Sequence, residues 1–275
     1  MNDMLQTMTA QPKAKVADQP VLTVRELEKR FGGLRATAAV SFDVADKAIT
    51  ALIGPNGAGK TTVFNLITNL FRQDSGEVIF LGKNLGGLSS TEIAERGLIR
   101  TFQSARVFPG MTVLENALAG RHRLMKTHGF SQMLWTRAAR AEEQRMRERA
   151  EALLELVGLA RYRDTHAVDL PMGSQKLLEV ARALMAQPRL LCLDEPAAGL
   201  NDTETHELAE LLSAIRTAGI PVLVVEHNMS LVMNVADAIV VLEAGTVIAR
   251  GSPTEIQNNQ RVIEAYLGRE ADATA

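Results

Sequence analysis

Residues 54–62 read Gly54-Pro55-Asn56-Gly57-Ala58-Gly59-Lys60-Thr61-Thr62 and fit the pattern G-x-x-x-x-G-K-[ST]. The apolar residues 49–53 before this stretch predict a strand, and residues 61–70 after it predict a helix. In that context the glycines let successive backbone N–H groups point at an anion, and the helix N-terminus adds partial positive charge. The sequence therefore predicts a phosphate-binding loop at the edge of an α/β sheet.

Two side chains of this loop indicate a nucleoside triphosphate as the ligand. Lys60 is placed to reach the β- and γ-phosphates, and the Thr61 hydroxyl is placed to ligate Mg²⁺. An ordinary glycine-rich turn is the alternative, which the strand-turn-helix context disfavours. The predicted nucleotide contacts are Gly54, Pro55, Asn56, Gly57, Ala58, Gly59, Lys60, Thr61 and Thr62, and Lys60 is also expected to act in catalysis.

A pair of carboxylates ends a second apolar strand, residues 190–193. Asp194 can hold Mg²⁺ directly or through water, and Glu195 can polarise the water that attacks the γ-phosphate. Ligands bind at such strand ends in open α/β sheets. Alone, the pair could be a helix N-cap, but a phosphate loop in the same chain makes that the weaker interpretation.

Two more polar side chains follow predicted strands and are expected to act in catalysis. His227 comes after the strand 221–225, where a neutral imidazole can hydrogen-bond the γ-phosphate or the water; a surface histidine is the alternative. Gln103 comes after the strand 98–102 and can reach the metal or the water, although alone it is a weak signal.

An aromatic residue upstream of the loop is a candidate for binding the base of the nucleotide. Phe31 precedes Gly32 and Gly33, whose small size permits close approach of a flat ligand. Its ring could stack on adenine. The alternative is a phenylalanine of the core.

The bulk composition is typical of a soluble globular chain. Hydrophobic residues make up 46% and charged residues 23% of 275 residues, and the net charge of −2 argues against a nucleic-acid partner. No apolar run approaches the roughly 18 to 20 residues of a membrane span, and the first 20 residues lack a secretory signal pattern. The single cysteine, Cys192, lies in an apolar strand and is expected to be buried.

Strand-like and helix-like segments alternate from residue 21, which predicts helices on the faces of a sheet. Residues 1–19 are interpreted as a loose extension and residues 20–270 as one domain. Within it we expect an α/β core at about 20–104 and 188–250, a helical subdomain at about 105–187, and a helical tail at 251–268. The charged residues 137–157 predict a solvent-facing helix, and Thr112 with Glu115 predicts a capping box.

The order of these motifs resembles that of ABC transporter ATP-binding subunits over residues 21–268. The motifs are the phosphate loop, Thr101-Phe102-Gln103, a signature helix at 170–184, the strand ending in Glu195, Pro196-Ala197-Ala198-Gly199-Leu200-Asn201, and Glu226-His227-Asn228. The resemblance implies an ATPase of α/β class: a P-loop NTPase core with a mostly parallel sheet, an antiparallel β subdomain and an inserted helical subdomain. It also implies a head-to-tail dimer in which each phosphate loop faces the partner's signature across ATP.

Within the family, the chain is most similar to the G-type subunit of branched-chain or hydrophobic amino acid importers. The similarity rests on residues 196–201, the insertion 121–144 and the tail 253–268. It implies a second ATP-binding subunit, different in sequence or a second copy, membrane-spanning permease subunits, and indirectly a solute-binding protein. The expected location is peripheral, on the cytoplasmic face of the inner (plasma) membrane. Related subunits import urea or amides, so that alternative stays open.

The signature segment departs from the family pattern L-S-G-G-Q. It reads Leu170-Pro171-Met172-Gly173-Ser174, followed by Gln175. Proline offers neither an N–H nor a hydroxyl to the γ-phosphate of the opposite ATP, so that contact is lost or rebuilt. Gly173, Ser174 and Gln175 remain the expected contacts to that nucleotide.

The sequence leaves three interpretations of function and predicts one docking surface. The first is a transport-coupled ATPase; the others are a regulatory nucleotide-binding module that does not hydrolyse ATP, and a soluble ABC ATPase acting on DNA or ribosomes. The intact Lys60, Asp194, Glu195 and His227 oppose the second, and the near-neutral charge opposes the third. A groove at Arg106, Val107, Phe108 and Met111 is predicted to receive a helix of the membrane subunit, with Phe108 as anchor or, alternatively, as a core residue.

Overall fold

A computed structural model describes residues 19–101, 106–121 and 137–272 of the chain. Most of the predicted N-terminal extension and the predicted site residue Gln103 lie outside the described residues. Part of the insertion 121–144 lies outside them as well.

The larger of two sheets has six strands in the order β10-β9-β3-β8-β7-β6. Strands β9, β3, β8, β7 and β6 pair in parallel, and β10 is antiparallel at the edge. The central strands are apolar and buried on both faces, as expected for a parallel sheet covered by helices. The six strands of this sheet are β3 Ile49–Ile53, β6 Leu98–Arg100, β7 Leu190–Asp194, β8 Val222–Val225, β9 Ala238–Glu243 and β10 Thr246–Gly251.

The smaller sheet is antiparallel and has the order β2-β1-β4-β5. Its strands are β1 Leu22–Phe31, β2 Leu34–Val44, β4 Ser75–Phe80 and β5 Lys83–Asn84. Strands β1 and β2 form a hairpin whose two-residue loop is Gly32-Gly33, with Gly32 at a φ of 57°. Phe31 thus ends a strand at the tip of this hairpin.

Nine α-helices are described. They are α1 Lys60–Ile67, α2 Ser90–Glu95, α3 Val113–Ala119, α4 Arg137–Leu156, α5 Met172–Met185, α6 Asp202–Thr217, α7 Met229–Val235, α8 Pro253–Gln257 and α9 Gln260–Asp272. None of these described helices combines the length and apolarity that a membrane span requires.

Helices α3, α4 and α5 lie between β6 and β7 in the sequence and pack against one another. They form the helical subdomain. The predicted capping box is confirmed: the Thr112 hydroxyl accepts from Glu115 N–H, and the Glu115 carboxylate accepts from Thr112 N–H. The helix predicted at 137–157 is present as α4, and its charged residues mostly face solvent as expected, but it also has a buried face that the prediction did not include. Helix α4 buries Met146, Ala150, Leu153 and Leu154 in the core, because its apolar residues recur at helical spacing among the charges.

Two apolar clusters cover the faces of the large sheet. One joins it to the helical subdomain and to α6, and the other joins it to α1 and the antiparallel sheet. Cys192 is fully buried in the second cluster, and burial raises the pKa of its thiol to about 12. The cysteine is therefore an inert packing residue, as predicted.

Candidate functional site

Three neighbouring parallel strands bring the described candidate residues to one edge of the sheet. The order β3-β8-β7 places the ends of these strands side by side. The phosphate loop follows β3, Glu226 and His227 follow β8, and Asp194 and Glu195 close β7. The sequence order of the motifs hides this proximity, which the parallel pairing creates.

The phosphate loop needs its glycines for conformation and for space. Gly54, Gly57 and Gly59 have φ values of 151°, 78° and 97°, which side chains disfavour. A Cβ at Gly59 would lie 2.6 Å from the carbonyl oxygen of Ala36, so β2 approaches the loop too closely for alanine. The loop is also tied to the β9–β10 turn, since Gly245 N–H donates to the Ala58 carbonyl at 3.0 Å.

Lys60 is buried and donates to the loop's own carbonyls. Its Nζ lies 2.7 Å from the Gly54 oxygen and 3.1 Å from the Pro55 oxygen. Burial lowers the pKa of Lys60, and the negative charge of Glu195 opposes that shift. Two predicted catalytic residues are therefore electrostatic neighbours.

Asp194 is 3% exposed and forms an ion pair with Arg100, whose Nη2 lies 2.8 Å from Asp194 Oδ2. Burial raises the pKa of Asp194, and the hydrogen bond from Arg100 works against that shift. Arg100 is further held by Asn65 Oδ1 at 2.7 Å and Thr68 Oγ1 at 3.0 Å, and it covers the Phe64 ring.

Sequence reasoning missed Arg100. The available signal was a charge at the end of an apolar strand predicted to lie in the same sheet as the Asp194 strand, because a buried charge needs a partner.

Glu195 adopts a left-handed backbone conformation with a φ of 47°. Such a residue costs about 1–3 kcal/mol and persists only where its surroundings enforce it. Its Oε2 lies 3.9 Å from His227 Nδ1, and His227 is half exposed while Glu195 is mostly covered. The structure thus brings together the carboxylate and the imidazole that the sequence predicted as catalytic.

Glu226 is fully buried and connects the two loops that carry these side chains. Its Oε1 accepts from Ala197 N–H at 2.7 Å, and its Oε2 accepts from the N–H groups of His227 at 3.0 Å and Asn228 at 3.2 Å. The sequence indicated a polar residue at this sheet edge, but its role as a backbone acceptor could not be deduced from residue type.

Phe31 is 43% exposed, so the alternative of a core phenylalanine is wrong. Its ring meets the Phe71 ring edge to face at 5.4 Å, and Lys29 Nζ lies 5.6 Å from its centroid. These contacts leave an aromatic surface available at the tip of the β1–β2 hairpin.

The signature segment begins α5, with Pro171 at the N-cap and no side-chain cap. Gly173 is buried against Glu204: a Cβ there would lie 2.2 Å from the Glu204 carboxylate. The Gln175 amide donates backward to the Leu170 carbonyl at 2.9 Å. These contacts are made within the chain.

The donors expected for Mg²⁺ are oxygen atoms, which this ion prefers. Thr61 is exposed in the first turn of α1, and Asp194 offers a carboxylate at the same sheet edge. The described residues contain no group of three or more His, Cys, Asp or Glu that could hold a metal. A metal shared between one hydroxyl, one carboxylate and phosphate oxygens needs no such group, so the residues fit Mg²⁺.

The fold and the loop define a nucleotide-binding protein of the phosphate-loop class. Residues 37–198 match the family described as ABC transporter, and residues 246–272 match the family described as branched-chain amino acid ATP-binding cassette transporter. The chain belongs to the ABC transporter family as an ATP-binding, ATP-hydrolysing cassette.

Similar proteins and a solved structure match this chain over about nine tenths of its length. The high-affinity branched-chain amino acid transport ATP-binding protein LivG of Salmonella typhimurium is 46% identical over 251 residues, 91% of this chain and 98% of the relative. BraF of Pseudomonas aeruginosa, named for the same transport, is 43% identical with the same coverage. The crystal structure of the ADP conformation of an ATP-binding cassette of an ABC transporter has a TM-score of 0.78 and 31% identity, covering 91% of this chain and 99% of that one.

Proposed function

We propose that this chain energises the import of branched-chain or other hydrophobic amino acids by hydrolysing Mg²⁺-ATP. The observation that carries the proposal is the meeting of the phosphate loop, Asp194, Glu195 and His227 at one sheet edge, in a chain whose last helices match the branched-chain cassette family. The names of LivG and BraF support the choice of solute.

In this proposal each side chain has a separate task at the γ-phosphate. Lys60 leaves the Gly54 and Pro55 carbonyls and donates to phosphate oxygens, with loop N–H groups beside it. Glu195 orients the attacking water and accepts its proton, while His227 hydrogen-bonds the phosphate or the water. Mg²⁺, held by Thr61 and Asp194, would neutralise charge on the phosphates. Gln103 is proposed to contact the metal or the attacking water.

The adenine end of the nucleotide is assigned to Phe31. A base stacked on this ring would cover its exposed face, and the contact with Phe71 would keep the ring oriented. Ring stacking of this kind contributes about 1–3 kcal/mol per base in other proteins.

The proposed assembly has a second ATP-binding subunit facing the site head to tail. Gly173, Ser174 and Gln175 of this chain would then contact the nucleotide bound by the partner. Membrane-spanning permease subunits would hold both ATPases at the cytoplasmic face of the inner membrane, and a solute-binding protein would deliver substrate from the other side.

The permease is proposed to dock on a patch formed by Arg106, Val107, Phe108 and Met111. Phe108 is 45% and Met111 40% exposed, so Phe108 is not a core residue. Arg182 lies 5.1 Å from the centroid of the Phe108 ring and donates to the Arg106 carbonyl at 2.6 Å. An apolar surface with a cationic rim suits a short amphipathic helix.

Uptake into proteoliposomes tests the proposal. The full complex that contains this chain is reconstituted with ATP inside and labelled leucine or urea outside, together with the matching solute-binding protein. We expect ATP-dependent accumulation of leucine, and none with Lys60→Ala, which should also weaken ATP binding because it deletes a charge-assisted contact. Accumulation of urea alone would contradict the amino acid assignment, and leucine uptake independent of Lys60 would contradict the ATP dependence.

A further inference from the structure

Lys176 is a buried cation that contacts the loop carrying the proposed catalytic base. It lies in α5, directly after the signature residue Gln175, and is 9% exposed. Its Nζ donates to the backbone oxygen of Glu195 at 3.2 Å and to the backbone oxygen of Ala198. A lysine in such a place is costly, because burial removes its hydration.

The surroundings of Lys176 are matched to its charge. Burial lowers the pKa of Lys176, while Glu226, Glu179 and Glu195 raise it. Of these three carboxylates, Glu226 also contacts the loop that Lys176 contacts, since its Oε1 accepts a hydrogen bond from Ala197 N–H. The segment 195–198 is therefore held by a cation at its carbonyls and by an anion at one of its N–H groups.

This double anchoring falls on a strained residue. Glu195 has a φ of 47°, a conformation that a non-glycine residue keeps only when its neighbours enforce it. The Ala198 N–H also donates to the Glu195 carbonyl at 3.1 Å, so the oxygen that Lys176 binds belongs to the turn that fixes Glu195. Releasing this carbonyl would let the backbone relax and turn the carboxylate away from His227.

We propose that Lys176 is a positioning residue for ATP hydrolysis, which holds the backbone of Glu195 so that its carboxylate faces the attacking water. The inference rests on the proposed catalytic role of Glu195. In this role Lys176 acts through the Glu195 and Ala198 carbonyls. ATP binding, which depends on the loop 54–62, is expected to be independent of it.

A double-mutant cycle on turnover tests this role. Lys176→Met removes the donors and keeps an unbranched side chain that suits a helix. In the purified transport complex we expect Lys176→Met to slow ATP turnover by about 10- to 100-fold, the range for a misplaced catalytic group, with ATP affinity changed by less than about threefold. With Glu195→Gln already present, Lys176→Met should add less than about twofold.

A matched control comes from a cation on α4 that contacts the C-terminal end of α5. Arg149 is another partly buried cation, and its Nη2 donates to the Leu184 carbonyl of α5 at 3.3 Å. Arg149→Met should lower thermal stability as Lys176→Met does, yet leave turnover per folded complex within about twofold. Lys176→Arg, which keeps charge and donors, should restore part of the rate.

The outcomes separate the two claims. If Glu195→Gln slows turnover but Lys176→Met slows it by the same factor with or without Glu195, or does not slow it, the positioning role is wrong and the proposed function stands. If Glu195→Gln itself has no effect on turnover, the proposed catalytic role fails, and the positioning role with it. Should Lys176→Met not fold, Lys176→Gln enters the same cycle with the same criteria.

Discussion

Arg100 Nη2 lies 2.8 Å from Asp194 Oδ2, in a pair whose side chains are only 11% and 3% exposed. The two residues end neighbouring parallel strands, so the cation stands beside the carboxylate proposed for Mg²⁺. Arg100 thereby neutralises a buried negative charge.

Arg100→Met should destabilise the nucleotide-free protein by about 3–5 kcal/mol at neutral pH, because it leaves Asp194 as an unpaired buried charge. Burial already holds the pKa of Asp194 above its usual value, and losing Arg100 raises it further. A group with a raised pKa in the folded state favours folding more as pH falls, so the loss should shrink toward acid pH. Urea unfolding of the parent chain and of Arg100→Met, at neutral and at acid pH, measures the difference in free energy of unfolding.

Arg100→Lys is the control, since it keeps a cation near Asp194 but loses the fork that binds Asn65 and Thr68. It should cost less than Arg100→Met at neutral pH. If the stability lost in Arg100→Met did not depend on pH, packing on Phe64 rather than charge would account for the contribution of Arg100 to the free energy of unfolding.

The strands and the phosphate loop were predictable because their signals are local. Residues 49–53 and 222–225 are apolar throughout, and the loop combines fixed glycines with Lys60 and Thr61. The particular partners of Arg100, Lys176 and Glu226 were not predictable, since each side chain contacts a residue far away in the chain. Their partners are set by strand order and helix packing, which residue type does not encode.

The proposed docking of the permease on the exposed patch at Phe108 can be tested through assembly of the complex. Phe108→Asp should prevent co-purification with the permease while changing thermal stability little, because the ring is 45% exposed and the new carboxylate lies beside Arg182. Co-purification from detergent-solubilised membranes and a thermal melt of the free chain measure the two effects. Ile263→Asp is the control, as it charges an apolar residue of similar kind, 36% exposed, on α9. Intact assembly with Phe108→Asp would exclude Phe108 as the anchor.

Pro171 makes the two ATP sites unequal if the partner ATPase carries the ordinary serine. A lost donor to a charged phosphate is worth about 1.5–3 kcal/mol, or roughly ten- to a hundredfold in rate. Pro171→Ser should raise turnover at the site that this segment completes. The helix should tolerate the change, because Pro171 is the N-cap of α5, a position that serine favours.

The test inactivates one site at a time, with Glu195→Gln in this chain or the matching change in the partner, and compares the residual rates. Equal residual rates in the parent complex would show that the missing hydroxyl is compensated. Unequal rates that Pro171→Ser leaves unchanged would place the cause of the asymmetry elsewhere.

The central claim is that this chain hydrolyses ATP with Glu195 as the base, and turnover by Glu195→Gln tests it most directly. The change keeps size and polarity but removes the negative charge 3.9 Å from His227 and replaces one accepting oxygen by an NH₂ group. Glu210→Gln, on the exposed face of α6, is the matched control. With ATP affinity measured alongside, we expect Glu195→Gln to retain ATP binding and to slow turnover by about 10² or more, while Glu210→Gln matches the parent. Parental turnover in Glu195→Gln would contradict the account.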